Sequence, residues 1–192
     1  MKQFYIIRHT TPNIDQGICY GISDLDINKN FENEATDIKT ALNNINPDFV
    51  LSSPLQRCNK LAQFLFPEKT IKYNDNLKEL DFGNWEMKKW ADIDPNEMHV
   101  WSEDILNQSP HKGESFGQFY NRTIEYFNQL ENNTPDNTTT AIVSHSGVIR
   151  CLLMKFLEIP YHKIFSWQLD YGAVVKISVY NHDYSQVKIL KG

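Results

Sequence analysis

Gln3-Phe4-Tyr5-Ile6-Ile7-Arg8-His9-Thr10 is the stretch that decides how the rest of the chain is read. Four apolar side chains in succession, Phe4 to Ile7, mark a strand buried on both faces, because alternation arises only where one face meets water. A cation, Arg8, and an imidazole, His9, follow at the point where such a strand surfaces. Far downstream, Thr140-Ala141-Ile142-Val143-Ser144-His145-Ser146-Gly147 repeats the arrangement. Two histidines at the carboxyl ends of two strands can share one cleft. With an arginine beside them, that geometry points to chemistry on a phosphate.

Outward from these two strands, helical and extended segments alternate. Ala35, Ile38, Ala41, Leu42 and Ile45 recur at helical spacing, with Glu32 and Glu34 near the start. Asp48 to Ser52 reads as a second strand, and Ser53-Pro54 as an N-cap followed by proline at the first helical position. The helix after it carries Leu55, Arg57, Leu61 and Leu65. Thr70 to Tyr73 is a weaker strand. Residues 84 to 112 hold Trp85, Trp90, Trp101, Pro95 and Pro110 without strong periodicity, and read as an excursion of short helices over one end of a sheet. Phe116, Phe119, Tyr120, Ile124, Phe127 and Leu130 mark an amphipathic helix. Val148 to Leu157 is a helix, Ala173 to Tyr180 a strand, and Val187 to Leu190 its hairpin partner. This rhythm predicts an α/β fold, a mostly parallel sheet with helices on both faces, whose ligands bind outside the carboxyl ends of the strands.

The chain has 192 residues, 41% hydrophobic and 22% charged, enough for one domain with a substantial core. A formal net charge of -5 argues against a nucleic-acid partner, which needs a basic face. No apolar run approaches the roughly 20 residues of a membrane span. The N-terminus enters a strand-like segment without the basic and apolar regions of a secretory signal. Cys19, Cys58 and Cys151 are far apart and odd in number, which speaks for a reduced, cytoplasmic setting over a disulfide framework or a zinc site.

A phosphate site can be assembled from these pieces. Helix N-termini offer unpaired N–H groups to an anion, and two are available, at Ser53-Pro54 and near Ser146-Gly147. Arg8 and Arg57 add charge-assisted hydrogen bonds to phosphate oxygens, and His145 a further donor. Neutral His9 could attack phosphorus, provided that a backbone carbonyl holds its other ring N–H and fixes the tautomer. Nearby arginines would keep it neutral. A carboxyl beside apolar side chains could protonate the leaving alkoxide; Glu79 and Asp81 are both candidates. No Walker-type glycine loop or tight Asp/Asn cluster suggests a metal.

These residues carry a resemblance. Arg8-His9 after a strand resembles the Arg-His-Gly signature of the histidine phosphatase superfamily, also called phosphoglycerate mutase-like. Ser52-Ser53-Pro54-Leu55-Gln56-Arg57 looks like its "SSPLxR" motif. Leu77-Lys78-Glu79-Leu80-Asp81-Phe82-Gly83-Asn84-Trp85-Glu86 is similar to its "LxExxFGxWEG" motif, and Pro110-His111-Lys112-Gly113-Glu114-Ser115 to its "GES" motif. Val143-Ser144-His145-Ser146-Gly147-Val148-Ile149-Arg150 resembles "VxHGGVIR". The motifs stand in family order. A lone Arg-His pair would mean little; the set is specific.

The resemblance implies a three-layer α/β/α sandwich over residues 1–192 as a single domain, with a cap-like excursion at about 84–112. It implies a metal-independent phosphatase, without cofactor, that hydrolyses a small phosphate monoester through a phosphohistidine on His9. Glu79 would be the proton donor, and Arg8, Arg57 and His145 would hold the phosphoryl group. Ser146, Tyr20 and Gly21 are further substrate-binding candidates. The short chain is most similar to the α-ribazole phosphatase and broad-specificity branch, which makes α-ribazole 5'-phosphate a candidate substrate. The alternatives are phosphoglycerate mutase-type transfer and a non-catalytic module that binds phosphorylated ligands. The expected partner is a small phosphorylated metabolite, with neither nucleic acid nor membrane, and the protein is a monomer or a homodimer.

Three positions depart from the pattern, with Thr10, Ser146 and Met87 where the family has glycine. The loop Gly17-Ile18-Cys19-Tyr20-Gly21 lacks the family's asparagine motif, for which Asn13 is the candidate substitute. Glu114 and Ser115 read equally as a helix cap and as substrate contacts. Arg150 and the three tryptophans read as structural. His99, His111, His162 and His182 show no ligand spacing and read as exposed.

Overall fold

The structure is a computed structural model that describes residues 1–43, 45–181 and 184–192. Its described residues build a six-stranded sheet in the order β3-β2-β4-β1-β5-β6. The strands are β1 (Lys2–Arg8), β2 (Phe49–Ser52), β3 (Ile71–Tyr73), β4 (Thr139–Ser144), β5 (Val174–Asn181) and β6 (Tyr184–Lys191). β1, β2, β3 and β4 run parallel, while β5 is antiparallel to β1 and forms a hairpin with β6. The sheet is therefore mostly parallel, as the alternating segments imply.

Helices α1 (Phe31–Ala41), α2 (Gln56–Leu65), α3 (Pro95–Glu103), α4 (Phe116–Asn133), α5 (Ser146–Leu157) and α6 (Tyr161–Ile164) follow in chain order. Successive side chains of a strand point to opposite faces, so the four apolar residues of β1 feed two cores. Phe4 and Ile6 pack with Phe119 and Phe127 of α4 and with Ile149 and Leu152 of α5. Tyr5 and Ile7 pack with Ala35 and Ile38 of α1 and with Leu61 and Leu65 of α2. Each large aliphatic or aromatic side chain so buried contributes about 1.5–3 kcal/mol, and removing one face would strand the other half of β1 in water.

β1, β4 and α5 extend one or two residues beyond the sequence expectation and β2 and β3 begin one residue later, within ordinary end fraying, while α1 ends at Ala41, short of Leu42 and Ile45. One boundary differs for a definite reason. α2 does not open at Ser53-Pro54: Leu55 holds an extended backbone and the helix starts at Gln56. Asp24 reaches across to accept from the Gln56 backbone N–H at 2.7 Å, so a distant carboxylate caps the helix. That carboxylate also occupies the helix end expected to receive an anion.

α4 opens with a capping box. Ser115 Oγ accepts from the Gln118 N–H, and the Gln118 side chain accepts from the Ser115 N–H. Of the two readings for Ser115, the cap is the one present. Residues 83–112 hold two short 3₁₀ turns (Gly83–Trp85 and Trp90–Asp92) and α3, whose N-cap is Asp94 followed by Pro95. Their small core contains Cys19, Trp85 and Ile93. Cys19, Cys58 and Cys151 are free and buried. Among the described residues no helix is long and apolar enough to cross a membrane.

Candidate active site

The ends of β1, β2 and β4 are tied together by backbone hydrogen bonds. His9 N–H donates to Ser144 C=O at 2.9 Å and Ser53 N–H to Val143 C=O at 2.9 Å. On the other side, the turn before β5 donates from Gly172 N–H to His9 C=O at 3.1 Å. Parallel register pairs Arg8 with Ser144 and so brings the two following histidines side by side. Their ring centroids are 5.1 Å apart in an edge-on arrangement.

His9 is buried. Its Nδ1 lies 2.7 Å from the Thr10 carbonyl, which cannot donate, so that nitrogen carries the proton. Nε2 is then the unprotonated nitrogen, and it accepts from Arg57 Nε at 3.3 Å. Burial, then Arg57 and Arg8, hold the His9 pKa well below its ordinary value, against an opposing pull from the Thr10 carbonyl. Thr10 serves through its carbonyl and has no left-handed backbone, so glycine is not required there.

Arg57 is also buried and held from three sides. Besides His9 it donates from Nη1 to Ser23 C=O at 2.7 Å and from Nη2 to Gly21 C=O at 2.6 Å. Two of its five N–H groups remain, one on each terminal nitrogen. Gly21 thus stands behind Arg57 and holds it through a carbonyl. No side chain fits at that position, because a Cβ would come 1.7 Å from the Leu80 carbonyl. Glu86 fastens this loop in turn, accepting from the Gly21, Ile22 and Ser23 N–H groups at 3.0–3.1 Å and from the Ser23 hydroxyl.

His145, the N-cap residue of α5, is buried with Nε2 2.9 Å from Ser53 Oγ. The Cys58 thiol lies 3.5 Å from the same nitrogen. Burial first, then Arg57, His9 and Arg8, lower its pKa well below the ordinary value.

Glu79 faces the histidines from the loop after β3. Its carboxylate accepts from Gly147 N–H at 3.1 Å, Ser146 Oγ–H at 3.3 Å and its neighbour Leu80 N–H at 3.1 Å. The N-terminus of α5 is therefore occupied by Glu79, and Ser146, which departs from the family glycine, adds a hydroxyl to that cradle. Gly147 must stay small, since a Cβ would sit 2.1 Å from Glu79 Oε1. Asp81 is used elsewhere: it accepts from Gly83 N–H at 2.7 Å and shapes the next turn.

Arg8, His9, Tyr20, Glu79, Ser146 and Gly147 line the floor and near wall of a cavity of about 270 Å³. Leu80, Phe82, Trp90, Trp101, Phe116 and Phe165 form its outer wall. Trp90 and Trp101 pack on Phe82 and Trp85 and also line the pocket; of these three tryptophans Trp85 alone is fully interior. Arg150 also lines the cavity; one terminal nitrogen donates to the Trp167 carbonyl at 3.2 Å. Arg57 and His145 are packed behind the cavity lining. Asn13 is exposed and lies away from the pocket. His99, His111 and His162 are exposed, and His182 lies outside the described residues.

Two supports escaped sequence reasoning. Arg122 of α4 donates to the Asn76, Lys78 and Glu79 carbonyls at 2.9–3.2 Å and pairs with Glu114 at 2.6 Å. It fixes the loop that carries Glu79 and gives Glu114 its role. Nothing marks it locally; it is one cation on a helix face. Tyr171, from the turn before β5, lies against Arg8, and its single aromatic ring in a short loop carried no periodic signal. Among the described residues no cluster of three or more His, Cys, Asp or Glu is disposed to hold a metal.

Comparison with known proteins matches this arrangement to a family. The family model of the histidine phosphatase superfamily (branch 1) matches residues 4–190. The chain is 25% identical over 195 aligned positions to an adenosylcobalamin/α-ribazole phosphatase of Escherichia coli K12, covering 98% of this chain and 95% of the relative. It is 24% identical to phosphoserine phosphatase 1 of Hydrogenobacter thermophilus, covering 88% and 83% of the two chains. The crystal structure of the α-ribazole phosphatase from Shigella flexneri superposes with a TM-score of 0.88 at 23% identity over 99% of this chain and 96% of that one, a likeness of fold. With two buried histidines meeting at the ends of parallel strands and a family model that spans nearly its whole length, the chain belongs to the histidine phosphatase superfamily, branch 1.

Proposed function

We propose that this phosphoric monoester hydrolase cleaves a small phosphate ester through a phosphohistidine on His9, without a metal. One observation carries the reading: the Thr10 carbonyl holds the Nδ1 proton of His9, which leaves a neutral Nε2 lone pair pointing at Arg57, where a phosphate would replace part of that contact. His9 Nε2 attacks phosphorus as the P–O bond to the leaving group breaks. The Arg8 and Arg57 guanidiniums and His145 carry the charge on the non-bridging oxygens, the main requirement of phosphoryl transfer. Glu79 gives its proton to the departing alkoxide. It then takes one from the water that attacks the phosphohistidine, so that inorganic phosphate leaves and His9 is neutral again.

The segment at 84–112 caps this chemistry and contributes Trp90 and Trp101 to the apolar outer wall. A leaving group that carries a flat apolar ring fits such a wall, and α-ribazole, named in two relatives, carries an aromatic base on its ribose.

The experiment is a rapid quench with 32P-labelled α-ribazole 5'-phosphate, phosphoserine and 3-phosphoglycerate. An acid-labile, base-stable phosphoprotein should form and decay with release of inorganic phosphate, fastest with the α-ribazole ester. His9→Ala should abolish the intermediate and slow turnover by about 10³-fold or more. Turnover of the variant at the wild-type rate overturns the nucleophile. Interconversion of phosphoglycerates without phosphate release would make the protein a mutase.

A further inference from the structure

The two arginines of the site are held very differently. Arg57 has three hydrogen bonds to protein atoms. Arg8 donates from Nη1 to the Leu169 carbonyl, while its Nε is buried without a partner among the described residues. A long side chain with one polar anchor loses its orientation easily, because each free rotor competes with the bound geometry. What covers Arg8 is Tyr171, whose ring centroid is 4.0 Å from the guanidinium carbon and 5.6 Å from the His9 ring. A guanidinium over an aromatic face is attracted by the ring quadrupole, and more strongly where water is partly excluded.

Tyr171 is itself tethered. Its hydroxyl lies 2.6 Å from that of Tyr20, in the loop that holds Arg57, and the Arg57 guanidinium carbon lies 5.5 Å from the Tyr20 ring. The two phenols therefore join the Arg8 and Arg57 sides across the mouth of the phosphate pocket. Either hydroxyl can be the donor of that bond, and Tyr20 lines the cavity wall. Burial, then the bond to Tyr171, raises the Tyr20 pKa, so the bridge stays protonated at neutral pH.

We propose that Tyr171 is the positioning residue for Arg8 in phosphate binding, and that the Tyr20 hydroxyl keeps Tyr171 in place. The inference rests on the reading above only in that Arg8 meets the phosphoryl group. The ring does the positioning and the hydroxyl pair steadies the ring.

The test reads binding without turnover: orthovanadate and inorganic phosphate titrated by calorimetry into the full chain. Tyr171→Leu should weaken vanadate binding by about tenfold, whereas Tyr171→Phe, which keeps the ring, should stay within about threefold of wild type. Tyr20→Phe should match Tyr171→Phe, and the double variant should be no worse than either, because both remove one bridge. Vanadate affinity of Tyr171→Leu within twofold of wild type overturns the proposal, as does an equal loss for the Leu and Phe variants. Should the Leu variant fail to fold, additive losses in the Tyr20→Phe/Tyr171→Phe pair overturn it instead. A wild-type protein that binds vanadate with this ring dependence but hydrolyses no ester refutes the phosphatase reading and leaves Tyr171 in its role. A protein that hydrolyses esters while Tyr171→Leu binds vanadate normally refutes Tyr171 alone. Wild-type protein that binds neither anion refutes both.

Discussion

The nest at the strand ends and the aromatic wall above it meet at Glu79, yet different forces build them. In the nest, His9, Arg57 and His145 are buried; backbone carbonyls of Thr10, Ser23 and Gly21 hold His9 and Arg57, the Ser53 hydroxyl holds His145, and the paired ends of β1, β2 and β4 carry them. In the wall, Trp90, Phe165 and their neighbours come from short turns and touch one another through ring contacts, such as Phe82–Trp90 at 5.5 Å and Phe116–Phe165 at 5.3 Å. Losing a partner in a low-dielectric site is costly for a buried polar group, so the nest tolerates little change of geometry. Apolar contacts are non-directional, so the wall can be rebuilt ring by ring without loss of the nest.

The largest expected effect strikes the nest through acid. His9 and His145 are buried, and burial followed by the neighbouring arginines lowers both pKa values. In the unfolded chain each would titrate near 6.5. Below that pH the unfolded state takes up protons that the folded state refuses, so stability is full above about pH 7 and falls as the pH drops. The fall ends only beneath the folded-state values. Each histidine adds at most about 1.4 kcal/mol per pH unit to that slope. Urea unfolding from pH 7.5 to 5.0 should show this decline, and His9→Asn should reduce the slope by about half. An unchanged slope in the variant would mean that folding does not lower the His9 pKa.

A smaller effect isolates the wall. Phe165 is half exposed, packs on Phe116 and lines the cavity far from the backbone ties of the nest. Phe165→Ala should raise KM for an ester with an aromatic leaving group by about fivefold, roughly 1 kcal/mol of lost contact. The inhibition constant for inorganic phosphate, which reaches only the nest, should not move. A parallel rise in both constants would show that wall and nest are one unit, and the division drawn above would fail.

The same division explains what could be read from the sequence. The sheet and the positions of Arg8, His9 and His145 follow from continuous apolar runs that end in polar residues, a pattern that local sequence states openly. The loop carrying Glu79 was also marked by its motif. The helix end at Gln56 was misplaced because its cap, Asp24, comes from thirty-odd residues away, and no local pattern records a long-range carboxylate. Arg122 is silent for the same reason: its partners are distant backbone carbonyls and Glu114, which no spacing on α4 announces. Trp90, Trp101 and Arg150 carry no local mark because a 3₁₀ turn, α3 and α5 bring them together only in the folded chain. Tyr171 lay silent in a turn until the fold set it on Arg8.

The smallest effect concerns strain that the outer segment tolerates. Met87, where the family pattern has glycine, holds a left-handed backbone with φ 65°. The conformation is imposed by the turn after Glu86, in which the Met87 N–H donates to the Cys19 carbonyl at 2.8 Å. A side chain in that region costs about 1–2 kcal/mol, because Cβ crowds the following carbonyl. Its side chain is more than half exposed and returns little by packing. Met87→Gly removes the clash but frees the unfolded chain, which offsets part of the gain. The net change should be a stabilisation of about 0.5–1 kcal/mol in urea unfolding, with KM for aromatic esters unaltered because Met87 lies outside the cavity lining. Destabilisation by the glycine would mean that Met87 packs in a way its exposure does not show. A shift in KM would mean that the turn after Glu86 reaches the wall after all, through the loop that Glu86 fastens beneath Arg57.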